Sequence, residues 1–561
     1  MKKNRRVSIF MTSVLQIFLL LGLVAGCGND SGSNTQSSTD SSQSTTEETE
    51  TPAAYVASGF PQVVVVAGTN YEMGVQYGKQ AASAIYHNLI IFKSKLYTAL
   101  GSETVTEDMQ VWDYFLMQYD PTLKDWLDGI RQGCYEMGFN VSYADLILLM
   151  VYPTELWSRP GDYPPEWGEG SQAADVSEAA ASSTNYHSCN TFAANGAATS
   201  DGKPIHAITQ MAGTEMMNNI ILIAFPEDGY SFISQTYAGR VNANSAMNSN
   251  GFCWTMTAIL SDEPVWGLTE VYFHYLAQLA GSPADAVEYL QNTPRGGVAG
   301  GFILTNASGI QVFETHADVY SQRTPSENGF VVQTNHLVDP ELEAYNPFWL
   351  QFIGTYERYN TVYQFLTEAP AGSVNFEFAK SVLASSDWYD SEAGEWHYNE
   401  PGSSFISNDH TSVSQSIFFP ANLIAYLQTG TPSGTGIPSY ATGEYVKIKL
   451  ATDPKTVTMQ ADDDALSYYW EAADLFEYEI NAAPAYLTTE VIADVRGKLD
   501  EAMTAYSYGI DREAYSDLET NGGASAMLWG SALTYFAKAQ LYAQMAKTAL
   551  QEAQAQARLS F

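Results

Sequence analysis

The chain has 561 residues, and its 63 acidic residues outnumber its 25 basic residues to give a formal net charge of -38. Nucleic-acid binding needs clusters of Lys and Arg, so this balance excludes nucleic acid as an expected partner. The length is ample for a large core, or for one domain with an appendage.

The amino terminus has the features of an export signal that ends in a lipidation site. A basic start is followed by an apolar run over residues 7–25, and small residues stand directly before Cys27. This pattern is typical of a bacterial lipoprotein signal over residues 1–26, after which Cys27 would carry lipid. An uncleaved anchor, or an ordinary signal with an incidental cysteine, is the alternative. We expect an exported protein, lipid-anchored to a bacterial membrane and facing the periplasm or the extracellular side.

The segment after Cys27 is almost entirely polar. Residues 27–54 are rich in Ser and Thr and cannot bury enough apolar surface to offset their chain entropy. They are predicted to form a disordered tether between the membrane and a catalytic domain over residues 55–460.

Hydrophobic periodicity predicts one strand and then helices in the first part of this domain. Residues 61–67 form a valine-rich run typical of a buried strand, and apolar residues then recur at helical spacing. The predicted helices cover residues 71–100, 113–138 and 142–152. Residues 159–185 have no periodicity and predict a long loop, which is often functional in a compact domain.

After residue 189 the pattern changes to short apolar runs separated by turn residues, which predicts antiparallel strands. The predicted strands cover residues 190–194, 204–208, 220–225, 232–236, 252–259, 301–305, 310–314, 329–334 and 415–420. The predicted helices cover residues 268–279, 282–291, 356–366 and 376–383. A carboxy-terminal extension over 461–561 is predicted to be a helical hairpin broken near residues 521–523. This order indicates an α+β domain with helices on sheet faces.

The residues that carry chemistry point to a thiol rather than to a metal or a cofactor. The sequence has no His-Glu-x-x-His, paired Cys-x-x-Cys, Gly-x-Ser-x-Gly or phosphate-binding glycine loop, so we expect no metal and no cofactor. Cys134 and Cys253 lie in apolar patterns typical of core packing, and a disulfide between them is possible. Cys189 stands between the long loop and a strand, and is a core thiol, half of a disulfide or a nucleophile.

Several segments resemble, in order, the family of acyl-CoA:6-aminopenicillanic-acid acyltransferase-like hydrolases. This family is the cysteine branch of the N-terminal-nucleophile (Ntn) superfamily. No single motif is specific, but their order over roughly residues 60 to 450 carries the resemblance. The segments are GTNYEMGVQYG (68–78), LKDWLDGIRQGCYEMGFNVSYADLILL (123–149), CNTFAANGAATSDGKPIHA (189–207), AMNSNGF (246–252), GGFILTNASGIQVFET (300–315), VVQTNH (331–336) and TYERY (355–359).

The resemblance implies an αββα sandwich, in which two antiparallel sheets lie between helical layers. It also implies self-cleavage of the Ser188–Cys189 bond, after which Cys189 is the nucleophile and its own α-amine is the base. Asn248 would stabilise the oxyanion, although Asn-Ser-Asn-Gly is also an ordinary turn. The predicted substrate-binding or supporting residues are Asn335, His336, His206 and Arg358. The expected partner is a small-molecule amide or acyl substrate, hydrolysed or transferred through a Cys189 thioester.

Two features depart from the family pattern. Ser188 stands where the family commonly has Gly, and residues 208–211 read Ile-Thr-Gln-Met where the family has an Arg and an Asp. These departures favour, as an alternative, a catalytically inactive binding lipoprotein on the same fold. A carbohydrate-active or scaffold protein that uses the many aromatic residues is a third hypothesis.

Overall fold

The structure is a computed structural model that describes residues 62–559. Its gaps within that range are residues 153–157, 162–188, 212–218, 242–244, 260–262, 269–271, 298, 318, 348–349, 351–353, 399–411, 430–443 and 483. The predicted signal, Cys27, the tether and Ser188 lie outside the described residues. The described elements all belong to one compact unit, Ala54–Phe561. Within the described ranges, no helix combines the length and the apolar character needed to cross a membrane.

The first described element is strand β1 (Gln62–Gly68), and four helices follow it. Three helices were predicted here. The predicted helix 113–138 is wrong, because the chain breaks at Asp120-Pro121, where Pro121 lacks an N–H and disfavours a helical residue before it. The predicted Ser142–Asp145 pair is confirmed as a capping box. The helices are α1 (Asn70–Leu100), α2 (Ser102–Tyr119), α3 (Thr122–Glu136) and α4 (Tyr143–Val151).

Glycines allow α1 and α3 to cross in backbone contact. A Cβ added at Gly74 would lie 2.3 Å from the carbonyl oxygen of Trp126, and one at Gly78 would lie 2.3 Å from that of Ile130. Gly129 and Gly133 on α3 have the same relation to α1. The glycines in the first two family segments therefore serve helix packing.

An eight-stranded sheet forms the first of two β-layers. Its strand order is β1-β4-β5-β6-β7-β8-β9-β10, with β1 and β4 parallel and the other neighbours antiparallel. The strands after β1 are β4 (Asn219–Pro226), β5 (Phe232–Tyr237), β6 (Ser245–Asn248), β7 (Cys253–Ile259), β8 (Ala299–Asn306), β9 (Gly309–His316) and β10 (Val319–Arg323).

A six-stranded antiparallel sheet forms the second layer, in the order β11-β2-β3-β14-β15-β16. Its strands are β2 (Cys189–Ala194), β3 (Ile205–Met211), β11 (Phe330–Gln333), β14 (Ser412–Phe419), β15 (Ile424–Thr429) and β16 (Val446–Lys449). A separate hairpin pairs β12 (Trp388–Asp390) with β13 (Glu395–His397). The intervening helices are α5 (Tyr272–Gln278), α6 (Pro283–Asn292), α7 (Thr355–Glu368) and α8 (Phe376–Ala384).

The two sheets pack face to face between helical layers. Helices α1–α6 and one face of the eight-stranded sheet share a hydrophobic cluster that includes Trp254 and Phe302. Helices α7 and α8 share another cluster with Phe192 and Ala207 of the six-stranded sheet. Side chains of both sheets, such as Ala193 and Ile303, meet between them. The predicted αββα arrangement is therefore confirmed.

The carboxy-terminal extension contains three helices rather than the predicted hairpin. They are α9 (Pro454–Ala482), α10 (Thr489–Leu518) and α11 (Gly522–Leu559). Helix α11 binds the outer strand of each sheet. Thr534 Oγ1 lies 3.2 Å from both the N and the O of Val63, and the Gln540 amide lies 3.0 and 3.3 Å from the N and the O of Lys447. The extension thus covers the edges β1 and β16, which would otherwise be open to pairing with other chains.

Candidate active site

Cys189 is the first residue of β2 and is buried at the interface of the two sheets. Because strand side chains alternate, Cys189 faces the same way as Thr191 and Ala193. Thr191 Oγ1 lies 2.7 Å from Thr255 Oγ1 of the facing sheet, so these side chains point into the space between the two sheets. The three described cysteines are all free, so the predicted disulfide alternatives are wrong.

Two predicted site residues hold the backbone of Cys189. The Cys189 N–H donates to Asn335 Oδ1 at 2.8 Å. Arg358 Nη1 donates to the Cys189 carbonyl at 2.9 Å and to Asn190 Oδ1 at 2.7 Å, while its Nη2 donates to Asn335 Oδ1 at 3.0 Å. Asn335 Nδ2 donates in turn to the Ala258 carbonyl at 2.7 Å. The two side chains therefore fix both peptide groups of the candidate nucleophile.

The fold explains why these distant residues meet. Gln333, the last residue of β11, pairs with Thr191 of β2, so Asn335 lies two residues beyond that pair, at the level of Cys189. Arg358 lies in the first turns of α7, which packs on the outer face of the same sheet. Strand register and helix placement, which local sequence does not reveal, create the site.

The thiol of Cys189 is neutral in the intact chain. Burial raises its pKa to about 11, although the backbone of Met211 and Ala258, the Arg358 charge and the Asn335 side chain act to lower it. A backbone hydrogen bond that lowers the pKa of an acid is donated to its charged form, so the groups from Met211 and Ala258 are N–H donors. The surroundings can stabilise a thiolate, but a base is needed to form it near neutral pH.

His336 connects the segment after β11 to α7. Its Nδ1 lies 3.1 Å from the hydroxyls of both Thr334 and Thr355, and its ring centroid lies 4.2 Å from that of Tyr356. Burial, with the charges of Arg358 and Arg323, lowers its pKa to about 3. His336 is therefore neutral near pH 7, and these contacts favour a role in holding Asn335 and Arg358 in place.

Asn248 lies on the other side of the eight-stranded sheet. Its neighbour Met247 packs between the sheets, so the Asn248 side chain points toward the helices. Its Nδ2 donates to the Ala280 carbonyl at 2.7 Å, and its Oδ1 accepts from the N–H groups of Asn250 and Phe252. The predicted oxyanion role is therefore at odds with the geometry, and the ordinary-turn alternative fits. The backbone groups of Met211 and Ala258, which lower the pKa of the Cys189 thiol, were not expected from the sequence.

His206 also lies away from the candidate nucleophile. It pairs with Ala193, whereas Cys189 pairs with Gln210, which separates His206 from the thiol by about 13 Å at 3.3 Å per residue. Its Nε2 lies 2.7 Å from Thr255 Oγ1, its Nδ1 lies 3.0 Å from Thr305 Oγ1, and burial lowers its pKa to about 3. His206 is a hydrogen-bonded interior residue, and its predicted supporting role is not reflected in these contacts.

A buried glutamate anchors the segment that follows Asn335. Glu314 accepts from the N–H groups of Val338 and Asp339 at 2.9 and 2.7 Å, and it forms an ion pair with Arg323 at 3.1 Å. Glu314 is fully buried in β9. The sequence signal was present in the segment GGFILTNASGIQVFET, where this acidic residue ends an apolar run.

A family comparison agrees with the order of the sequence segments. Residues 212–397 match the model of the family described as acyl-coenzyme A:6-aminopenicillanic acid acyl-transferase. This stretch of the chain is similar to that acyl-transferase family. The matched segment contains Asn335, His336 and Arg358 and begins after Cys189.

Other comparisons are more distant. An uncharacterized protein of Archaeoglobus fulgidus is 23% identical over 358 residues, and the chain spans 56% of that protein's length and 56% of its own. An N-acylethanolamine-hydrolyzing acid amidase ortholog of Caenorhabditis elegans is 13% identical, with a TM-score of 0.29 over 41% of this chain and 93% of that one. A conjugated bile acid hydrolase mutant of Clostridium perfringens is 10% identical, with a TM-score of 0.30 over 47% of this chain and 97% of that one. The fold assignment rests on the sheets and helices described above.

Proposed function

We propose that the protein is an Ntn-type cysteine amidohydrolase or acyltransferase in which Cys189 attacks a linear amide or acyl substrate. One observation carries the proposal: Asn335 and Arg358 hold the backbone N–H and carbonyl of Cys189 at a buried strand end. A free α-amine formed at this position would already be held beside its own thiol. The nucleophile and its base would then come from one residue, which needs no neighbouring histidine.

Self-cleavage would create that amine. The Cys189 sulfur adds to the carbonyl carbon of Ser188, the thiol proton passes to the Cys189 nitrogen, and the C–N bond breaks. The product is a thioester between the Ser188 carbonyl and the Cys189 sulfur. Water then hydrolyses this thioester, which leaves a carboxylate on Ser188 and a free thiol and amine on Cys189.

The same groups would then act on a substrate. An α-amine has an ordinary pKa of about 7.7 to 8.0, which suits proton transfer near neutral pH. The amine takes the thiol proton, the sulfur attacks the substrate carbonyl, and the amine returns the proton to the departing group. Water or a second nucleophile then accepts the acyl group from the thioester. The N–H groups of Met211 and Ala258 would favour the thiolate during these steps.

Export and lipid anchoring at Cys27 are part of the same proposal and rest on the sequence pattern of residues 1–54. Membrane fractionation of full-length protein and of Cys27→Ala in a bacterial host tests this part. Wild-type protein in the membrane fraction and the variant outside it would support anchoring. Equal distribution of the two proteins would overturn it.

The catalytic proposal is tested by comparing three proteins. Wild type, Cys189→Ala and the buried-cysteine control Cys253→Ala are assayed on a panel of linear amides, and iodoacetamide labelling of each cysteine is measured by mass spectrometry. We expect turnover and the fastest labelling to depend on Cys189 alone. Full hydrolysis by Cys189→Ala, or equal labelling of Cys189 and Cys253, would contradict the proposal.

The alternative of an inactive binding lipoprotein is favoured by one observation. Ile208 and Met211 occupy the positions at which the family has an Arg and an Asp, and Met211 contributes only its backbone near the thiol. An uncleaved chain that binds amides tightly without turnover would support this alternative.

A further inference from the structure

Uncharged hydrogen-bonding side chains lie next to Cys189 between the two sheets. Gln210 pairs directly with Cys189, and Ser414 pairs with Gln210 on its other side. Paired residues present their side chains on the same face, with Cβ atoms roughly 4.5 to 5.5 Å apart. Ser414 Oγ donates to Gln210 Oε1 at 3.2 Å. A neutral amide is therefore the immediate lateral neighbour of the thiol.

The facing sheet continues this polar surface. Ser416, on the same face of β14 as Ser414, donates to Oε1 of Gln235 on β5 at 2.8 Å. Gln235 Nε2 donates to the Gln428 carbonyl at 2.8 Å. Gln235 and Ser416 are each only 1% exposed, so both amide and hydroxyl lie away from water.

Ser245 supplies the observation that points to a ligand. It is fully buried, and its Oγ has no hydrogen-bond partner within the part of the chain that the structure describes. Two residues before Met247 on β6, it faces the space between the sheets, and it pairs with Thr255. An unpaired buried hydroxyl is unfavourable, so a polar group from a ligand would satisfy it.

On β4, β5 and β14 the polar side chains of this face lie only toward the Cys189 end of the strands. Farther along β4, β5 and β14 the same face is apolar, with Ile221, Ile223, Ile233 and Phe418 in one cluster. A general requirement of sheet packing therefore does not explain the row of amides and hydroxyls beside Cys189.

We propose that these side chains bind an uncharged hydrogen-bonding group of the substrate, which deepens and rests on the proposed function. The substrate class is then an amide or acyl compound with a carboxamide or hydroxyl group near the scissile carbonyl. A plain alkyl chain would leave the Ser245 hydroxyl unmatched, and the five side chains of this surface carry no charge to pair with a carboxylate. The residues that form this polar wall are Gln210, Gln235, Ser245, Ser414 and Ser416.

The test measures covalent capture of Cys189 and so does not depend on turnover. Three chloroacetamides carry N-substituents of equal length that end in a methyl, a carboxamide or a carboxylate. The rate of Cys189 alkylation is measured by peptide mass spectrometry. We expect the carboxamide probe to react about tenfold faster than the methyl probe, and the carboxylate probe to be slowest. Equal rates, or a faster methyl probe, would overturn the inference.

Two variants and one control assign the preference to the polar wall. Gln210→Leu should bring the carboxamide-to-methyl ratio close to one, whereas Gln415→Leu, a buried glutamine on the opposite face of β14, should leave the ratio unchanged. Ser245→Ala keeps the test available if Gln210→Leu does not fold, because it removes an unpaired hydroxyl and should lower the ratio without loss of stability. A ratio that neither variant changes would refute the assignment.

Probe preference without amide turnover would refute the proposed function alone, and Cys189-dependent turnover without preference would refute this inference alone.

Discussion

Removal of the Asn335 side chain should disable Cys189 while leaving the rest of the fold in place. Asn335→Ala removes the acceptor of the Cys189 N–H, the acceptor of Arg358 Nη2 and the donor to the Ala258 carbonyl. The Cys189 N–H and the Ala258 carbonyl then lose a buried partner, each at a cost of about 1–3 kcal/mol. We therefore expect the free energy of unfolding to fall by about 2–6 kcal/mol.

The effect on chemistry should exceed the effect on stability. Loss of a fixed backbone position at the nucleophile costs about 10²-fold in rate when the geometry shifts by 1 Å. The rate of fragment formation on gels is measured beside urea unfolding for wild type and for Asn335→Ala.

Asn346→Ala is the matched control, because Asn346 makes the same kind of paired backbone contact, to Leu337 N and O at 2.8 Å each. The control should lose stability and keep its cleavage rate. Wild-type cleavage by Asn335→Ala, with no greater loss of stability than the control, would refute the reasoning.

Three further changes test other contacts of the site. Because burial raises the pKa of Cys189 to about 11, the rate of iodoacetamide labelling of the intact chain should keep rising up to that pH. The free energy of unfolding should fall from about pH 8.5 toward pH 11, because the thiol ionises first in the unfolded chain. A labelling rate that levels off near pH 8 in the intact chain would argue against a neutral thiol. Asn248→Ala should destabilise the β6–β7 turn by about 1–3 kcal/mol without changing Cys189 labelling or cleavage, and a selective loss of cleavage would restore its oxyanion role. Arg358→Lys keeps the charge but loses the forked contact to three oxygens, so cleavage should slow at least about tenfold, and a wild-type rate would show that the charge alone suffices.

The sequence allowed the fold and half of the site to be predicted. The short apolar runs indicated antiparallel strands in an α+β domain, and the family resemblance implied two sheets between helical layers. The ordered family segments pointed to Cys189, Asn335 and Arg358, which the structure brings together. The break at Asp120-Pro121 was overlooked because apolar periodicity continues on both sides of it. The three-helix form of the extension was missed although Pro484 and the N-cap residue Thr488 stand between α9 and α10 and mark a helix break.

One physical cause places Asn248 and His206 away from Cys189, where the sequence segments had led us to expect them. Residues in a resembling segment share a local pattern, but the face of a strand on which a side chain lies depends on register and on which sheet it joins. Asn248 lies on the helix side of its sheet, and His206 lies four residues along β3 from the partner of Cys189. The backbone groups beside the thiol could not be predicted for a related reason, since every non-proline residue carries an N–H group and only the folded arrangement decides which of them lie near Cys189.

The most direct test of the central claim is amino-terminal sequencing and intact mass measurement of purified wild type and Cys189→Ala. We predict that wild type yields a fragment of residues 189–561 with a free amino-terminal Cys189, and that Cys189→Ala remains one chain. A wild-type chain that stays intact across residues 188 and 189 while hydrolysing amides at full rate would contradict it.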